Sequence, residues 1–177
     1  LALFLSAFDS LTRGALVAGV VLVFCAAVAV WILVGSPRPP SVGPLVAELR
    51  AAPVAVLAVA VAIAFAYTLA LVLGTAPNGW DPLNYHLARA AFWLQSQHIG
   101  YIADAYDQRL NFNPPNGEIG IAFALGITRN ERAAGLVQFF AFLSCGVGVV
   151  ALARTVGCAR AQALIGGLLF LLLPIVL

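Results

Sequence analysis

Long apolar runs dominate the chain, and the breaks between them outline its elements. Residues 14–34 are uninterrupted until Gly35-Ser36-Pro37-Arg38-Pro39-Pro40, a stretch that cannot continue a helix. A second run, 53–73, is broken by Gly74-Thr75-Ala76-Pro77-Asn78-Gly79. Runs at 133–153 and 161–177 follow. Each approaches the roughly 20 residues a helix needs to cross the hydrocarbon core. Residues 1–8 read as the tail of another run, closed by the polar turn 9–13. Residues 119–127 are apolar but short, and with 115–118 as a first turn and Thr128 as a last they give a thin or partly re-entrant span of about 20 Å. The pattern predicts an all-α, polytopic transmembrane helical protein.

The stretch 80–118 breaks this pattern as a polar, aromatic island. Leu83, Leu87, Ala90, Ala91 and Leu94 recur at helical spacing, while His86, Arg89, Trp93 and Gln97 follow a different row. An amphipathic helix of this kind, with Trp80, Tyr85, Phe92 and Trp93 at its sides, is expected to lie in the membrane interface. Asn113-Pro114-Pro115-Asn116-Gly117 then turns the chain back. The loop at 75–118 is where function is expected.

Composition sharpens the class. Charged residues are 9% and hydrophobic ones 63% of the chain, against roughly 25% charged in soluble domains, so a lipid bilayer is the expected surrounding. The net charge of +2 is too small to suggest nucleic acid, and all nine basic residues are arginines. Four of the seven acidic residues and both histidines fall in the island. The three cysteines show neither metal-ligand nor disulfide spacing, and no signal peptide is evident. Residue 1 is not methionine and the last residues are apolar, so a fragment of a longer protein is expected. Arg38, Arg50, Arg129 and Arg132 would share one side and Arg13, Arg154 and Arg160 the other. Four against three puts the island on the extracytoplasmic face.

Each candidate residue has a plain reading beside a chemical one. Asp81 followed by Pro82 fits a helix N-cap, and it also fits a general base at a membrane edge. His86 and Arg89 share a face that is either wetted surface or a pair of phosphate donors. Asp104, Asp107 and Arg109 make a local ion cluster or hold a divalent cation. Glu118 opens a membrane segment, where charge is costly unless functional, yet the helix dipole favours it there. His98 reads as a surface residue and Trp31 as an interfacial anchor.

Trp80-Asp81, Tyr85-His86-Leu87-Ala88-Arg89 and Trp93-Leu94-Gln95 together resemble the WD…YHLPR…W(L/I)Q signature of bacterial GT-C superfamily membrane glycosyltransferases, near the protein mannosyltransferase and aminoarabinose transferase families. Arg109, Asn113-Pro114-Pro115 and Glu118 are similar to their R(Q)…Y-x-P-P-x-x-E segment. Arg132, the span end at 151–154 and Leu172-Leu173-Pro174 also fall where such proteins have matching features. The resemblance covers roughly residues 73–177. Ala88 stands where the pattern has proline and Leu110 where it often has glutamine.

The resemblance implies a polytopic enzyme of the bacterial cytoplasmic membrane. It would transfer a sugar, with inversion, from a polyprenyl-phosphate donor to a glycan, lipid or protein acceptor. Asp81 would be the general base, and His86, Arg89 and Arg109 would bind the donor phosphate. Asp104, Asp107 and Glu118 would position the acceptor or a divalent cation. The alternative is a transporter or flippase-like protein, which would place ionisable groups inside its spans.

Overall fold

The computed structural model describes residues 1–38 and 43–173, and among them every regular element is helical. In chain order these are α1 (Ala2–Ser6), α2 (Arg13–Leu33), α3 (Gly43–Leu49), α4 (Ala52–Gly74), α5 (Leu87–Ser96), α6 (Arg109–Phe112), α7 (Asn116–Thr128), α8 (Ala134–Thr155) and α9 (Arg160–Leu171). A π-helical turn, Pro82–His86, leads into α5, and a 3-10 turn, Glu131–Ala133, leads into α8. The expected break at Pro39-Pro40 and the last span beyond residue 173, with its Pro174, lie outside the described residues.

Among the described residues three stretches are long and apolar enough to cross a membrane: Arg13–Leu33, Ala52–Gly74 and Glu131–Thr155. The first, α2, starts where the Thr12 hydroxyl accepts a hydrogen bond from the Ala15 N–H at 3.2 Å. It stops at Gly35, whose φ of +88° suits a left-handed cap. Trp31 donates its indole N–H to the Pro37 carbonyl, as an aromatic at an apolar helix end can. Between these ends Val21, Leu22, Val23, Phe24 and Leu33 are exposed. A helix so apolar and so little covered by protein needs hydrocarbon around it.

The chain divides into two compact units. One comprises Pro39–Leu71 and Gln138–Leu177. Its core is Val61, Phe65, Phe142 and Leu171, with the Phe65 ring 5.3 Å from Phe139 in an edge-to-face contact and 5.7 Å from Phe142. Within it α8 and α9 approach closely at Gly146 and Gly167, where an added Cβ on Gly167 would stand 3.0 Å from the Gly146 carbonyl. Small residues at such crossings let helices pack in lipid.

The other unit, Leu1–Arg38 with Val72–Val137, holds the polar island. Ala2, Leu11, Leu16, Ala90, Trp93 and Ala122 form its core. Helix α5 lies along α7 and runs the same way. Their starts meet where His86 bonds Glu118, and their ends meet where an added Cβ on Gly126 would touch Leu94 at 3.1 Å.

This arrangement corrects two expectations. The row that reads as the polar side of an interfacial helix, His86, Arg89, Trp93 and Gln97, is only partly wetted: Gln97 is exposed and His86 half-buried, but Arg89 and Trp93 are buried beside Ala90 of the apolar stripe. The reason is α7, which brings Glu118 to the polar groups of that row. Second, residues 115–128 do not carry Arg129 and Arg132 to the side opposite the island. Val72, near the end of α4, packs on Gly135 at the start of α8, so the intervening chain leaves and returns at the same end of these helices. The 13 residues of α7 span about 20 Å, short of a roughly 30 Å hydrocarbon core. Arg13 and Arg129, assigned to opposite sides, line one cavity, so the four-against-three count no longer orients the chain.

Single cysteines at Gln97 and Asn130, in a background with Cys25, Cys145 and Cys158 replaced, should therefore show the same sidedness to an impermeant thiol reagent. Labelling from opposite sides would contradict the arrangement.

Candidate functional site

The π-helical turn Pro82–His86 widens the backbone at the head of α5, a distortion found often at functional sites. Asp81 precedes it with helical φ and ψ of −65° and −45°, and its side chain makes no capping hydrogen bond. The N-cap reading of Asp81 therefore fails. Its carboxylate Oδ1 instead accepts from Arg109 Nη1 at 2.9 Å.

Arg109 is the hub of the exposed half of the site. Its Nε and Nη2 donate to Asp107 Oδ2 at 3.0 and 2.7 Å, and its backbone N–H donates to Asp107 Oδ1 at 2.9 Å. The guanidinium also sits 4.8 Å from the Tyr85 ring centroid, within cation–π range. Asp107 and Arg109 are four and two residues before the Asn111 anchor described below. Asp104 stands apart: it occupies an exposed left-handed position (φ 55°) and makes no hydrogen bond or ion pair with this cluster.

The inner half is buried. Glu118, 2% exposed, receives His86 Nδ1 at 2.9 Å, with Arg89 Nη1 at 3.9 Å. Arg89 donates from Nη1 to the Asn113 carbonyl at 2.7 Å, and its guanidinium lies 4.9 Å from the Trp93 ring centroid. Its Nε has no partner among the described residues. Buried charges of this kind persist only when paired and hydrogen-bonded. Arg89, expected at the donor phosphate, thus holds the 111–113 turn from within. The Tyr85 ring, 3.9 Å from the His86 ring, joins the two halves.

Backbone anchors hold these groups in place. Asn111 accepts from the Ile102 N–H at 2.9 Å and donates to the Ile102 carbonyl at 3.0 Å. The Tyr106 hydroxyl donates to the Asn84 carbonyl, and the Trp93 indole donates to the Gly100 carbonyl at 2.9 Å. His98, read as a surface residue, is exposed and reaches Asp9 at 3.0 Å and the Ser6 carbonyl at 3.1 Å, while the Ile99 N–H donates to buried Ser6 Oγ at 2.6 Å. The sequence reading missed Tyr85 as a platform and Asn111, Asn113 and Ser6 as anchors. A side-chain amide, a backbone carbonyl and a hydroxyl give no periodic signal, although the place of Asn111 and Asn113 in the polar island was a clue.

The Arg109 guanidinium, through its side-chain hydrogen bond and then its backbone N–H, holds the Asp107 carboxyl below the ordinary 3.8, and Asp107 raises Arg109 in turn. A lowered folded-state value means that the interaction is present above that ordinary value and is lost as pH falls through the lowered one. An NMR titration of the Asp107 carboxyl should show a midpoint that rises towards 3.8 in Arg109→Gln. An unmoved midpoint would contradict the pairing.

No group of three or more His, Cys, Asp or Glu comes together among the described residues. Asp104, Asp107 and Glu118, the residues the sequence offered for a divalent cation, are thus not gathered into such a group, and Asp107 shares Arg109 with Asp81. Compared with protein-family models, with curated proteins and with solved structures, the chain finds no match.

Proposed function

We propose that the chain carries the site of a membrane glycosyltransferase that moves a sugar from a polyprenyl-phosphate donor to a glycan, lipid or protein acceptor. In this reading the island faces the extracytoplasmic side of a bacterial cytoplasmic membrane. The observation that carries it is an exposed carboxylate, Asp81, hydrogen-bonded at 2.9 Å to an arginine that a second carboxylate holds in place. The resemblance in the 80–118 segment supports the same assignment.

The chemistry follows from these groups. The acceptor oxygen forms a bond to the anomeric carbon as the bond from that carbon to the phosphate oxygen breaks. Asp81 takes the acceptor proton, and the lipid phosphate leaves with its negative charge on Arg109. An arriving donor phosphate competes with Asp81 for Arg109 Nη1. That exchange frees the carboxylate to act as base while Asp107 keeps the guanidinium oriented. His86, fixed through Nδ1 by Glu118, presents Nε2 to the donor. Glu118 and Arg89 act from the interior by holding His86 and the 111–113 turn, and Asp104 is left to meet the acceptor from its exposed turn.

Arg109→Lys tests the phosphate role, because it keeps the charge and removes the planar fork. Losing a charge-assisted hydrogen bond should weaken donor binding by about 10–100-fold. Unchanged donor affinity in the full-length protein would remove Arg109 from the site. The transporter reading draws on the buried Glu118–Arg89 pair between two short helices. Against it, α2, α4 and α8 carry ionisable side chains only near their ends, apart from Cys25 and Cys145 and the tyrosine of α4, Tyr67.

A further inference from the structure

We propose that the cavity between the start of α2 and the ends of α5 and α7 binds a phosphate-bearing anion, the headgroup of an anionic membrane lipid. The cavity measures about 320 Å³, at the small end of ligand sites. Thr12, Arg13, Gln97 and Arg129 supply its polar wall and Leu11 and Leu94 part of its apolar one, and no carboxylate lines it.

The two arginines set it apart from the rest of the island. Arg89 and Arg109 are both committed to partners. Neither the Arg13 nor the Arg129 guanidinium makes a hydrogen bond or ion pair among the described residues, and both are exposed. Two unpaired guanidinium groups around one opening, with no acid to neutralise them, form a receptor for an oxyanion that accepts paired N–H bonds. The start of α2 adds to this field. Thr12 satisfies the Ala15 N–H, and among the described residues the backbone N–H groups of Arg13 and Gly14 have no partner at the positive end of the helix dipole.

Position selects the lipid. Arg13 is the first residue of a 21-residue apolar helix long enough to cross a membrane. Its level is therefore where hydrocarbon gives way to headgroups, and basic pockets at helix ends there take anionic lipids. The leucines provide a surface for the glycerol and the first acyl carbons. The cavity is separate from the Asp81 site: Arg129 lies eleven residues beyond Glu118 along α7, roughly 16 Å at 1.5 Å per residue.

The test uses the purified full-length protein taken from phosphatidylcholine vesicles with or without phosphatidylglycerol, with retained lipid read by native mass spectrometry. The parent should retain phosphatidylglycerol in preference to phosphatidylcholine, a result that needs no variant. Arg13→Gln/Arg129→Gln, at an unchanged melting temperature, should lose that preference by roughly 10–30-fold. Inorganic phosphate, titrated in detergent without lipid, distinguishes the source. Saturable phosphate binding that the double variant loses, without lipid selectivity, supports the anion site but assigns it to a soluble ligand. No selectivity and no phosphate binding in the parent, or equal behaviour of parent and variant, overturns the proposal.

Discussion

Asp81→Asn should lower glycosyl transfer by the full-length protein by about 10²–10⁴-fold, the usual cost of losing general-base catalysis. The fold should survive. The Asp81 side chain makes no capping hydrogen bond, so no helix N-terminus depends on it. Its ion pair with Arg109 joins two groups 61% and 37% exposed, where water and salt screen the interaction. Asparagine has the same shape and still offers an oxygen to Arg109, but it cannot take a proton at neutral pH. The decisive comparison is turnover at matched expression and melting temperature. Activity within a few-fold of the parent would remove Asp81 as the base and turn attention to Asp107 or His86.

The largest stability effect is expected at the buried pair beneath the site. Arg89→Met leaves Glu118 without its cation and the Asn113 carbonyl without its donor. The arginine is 4% exposed and the glutamate 2%, so water cannot replace what is lost. Stranding one partner of a buried ion pair typically costs about 3–5 kcal/mol. Arg89→Met/Glu118→Leu removes both charges, and such apolar replacements are often nearly neutral, so the double variant should recover most of the loss. His86, 34% exposed at its side chain, can turn to water when Glu118 is gone. Thermal unfolding in one detergent measures all three proteins. A single variant as stable as the parent would show that the pair does not hold the site, and a double variant less stable than the single one would contradict the coupling.

The helices were legible because their signal is local. Runs such as Val20 to Val34 can only be helical in lipid, where every backbone group must be satisfied within its own segment. The ends were legible for the same reason: Thr12 suits the start of α2 and Gly35 its stop. The direction of α5 was not. Periodicity separates one row from another but does not say what covers each, and here Ala90 of the apolar row and Arg89 and Trp93 of the other are buried together. Arg89 is buried and His86 half-buried because Glu118, 29 and 32 residues along the chain from them, meets them there. A contact of that range leaves no mark on a single helix. The same holds for α7, whose apolar residues suit a short crossing as well as packing against α5. In the candidate site, the cluster of ionisable residues in 80–118 pointed to Asp81, Arg109, Asp107, His86 and Glu118. How they pair, and that Asp104 stands apart from them, depended on the Asn111–Ile102 and Tyr106–Asn84 contacts that set the loop.

The central claim is that this site breaks a sugar–phosphate bond. The most direct measurement reconstitutes the full-length protein in vesicles with a polyprenyl-phosphate sugar labelled in both sugar and lipid, together with envelope extract as the source of acceptor. A glycosyltransferase should release sugar-free polyprenyl phosphate in step with labelled acceptor, and Arg109→Lys and Asp81→Asn should slow both together. Donor that changes leaflet or compartment with its sugar–phosphate bond intact, at a rate that depends on the protein, would contradict the account and establish transport in its place.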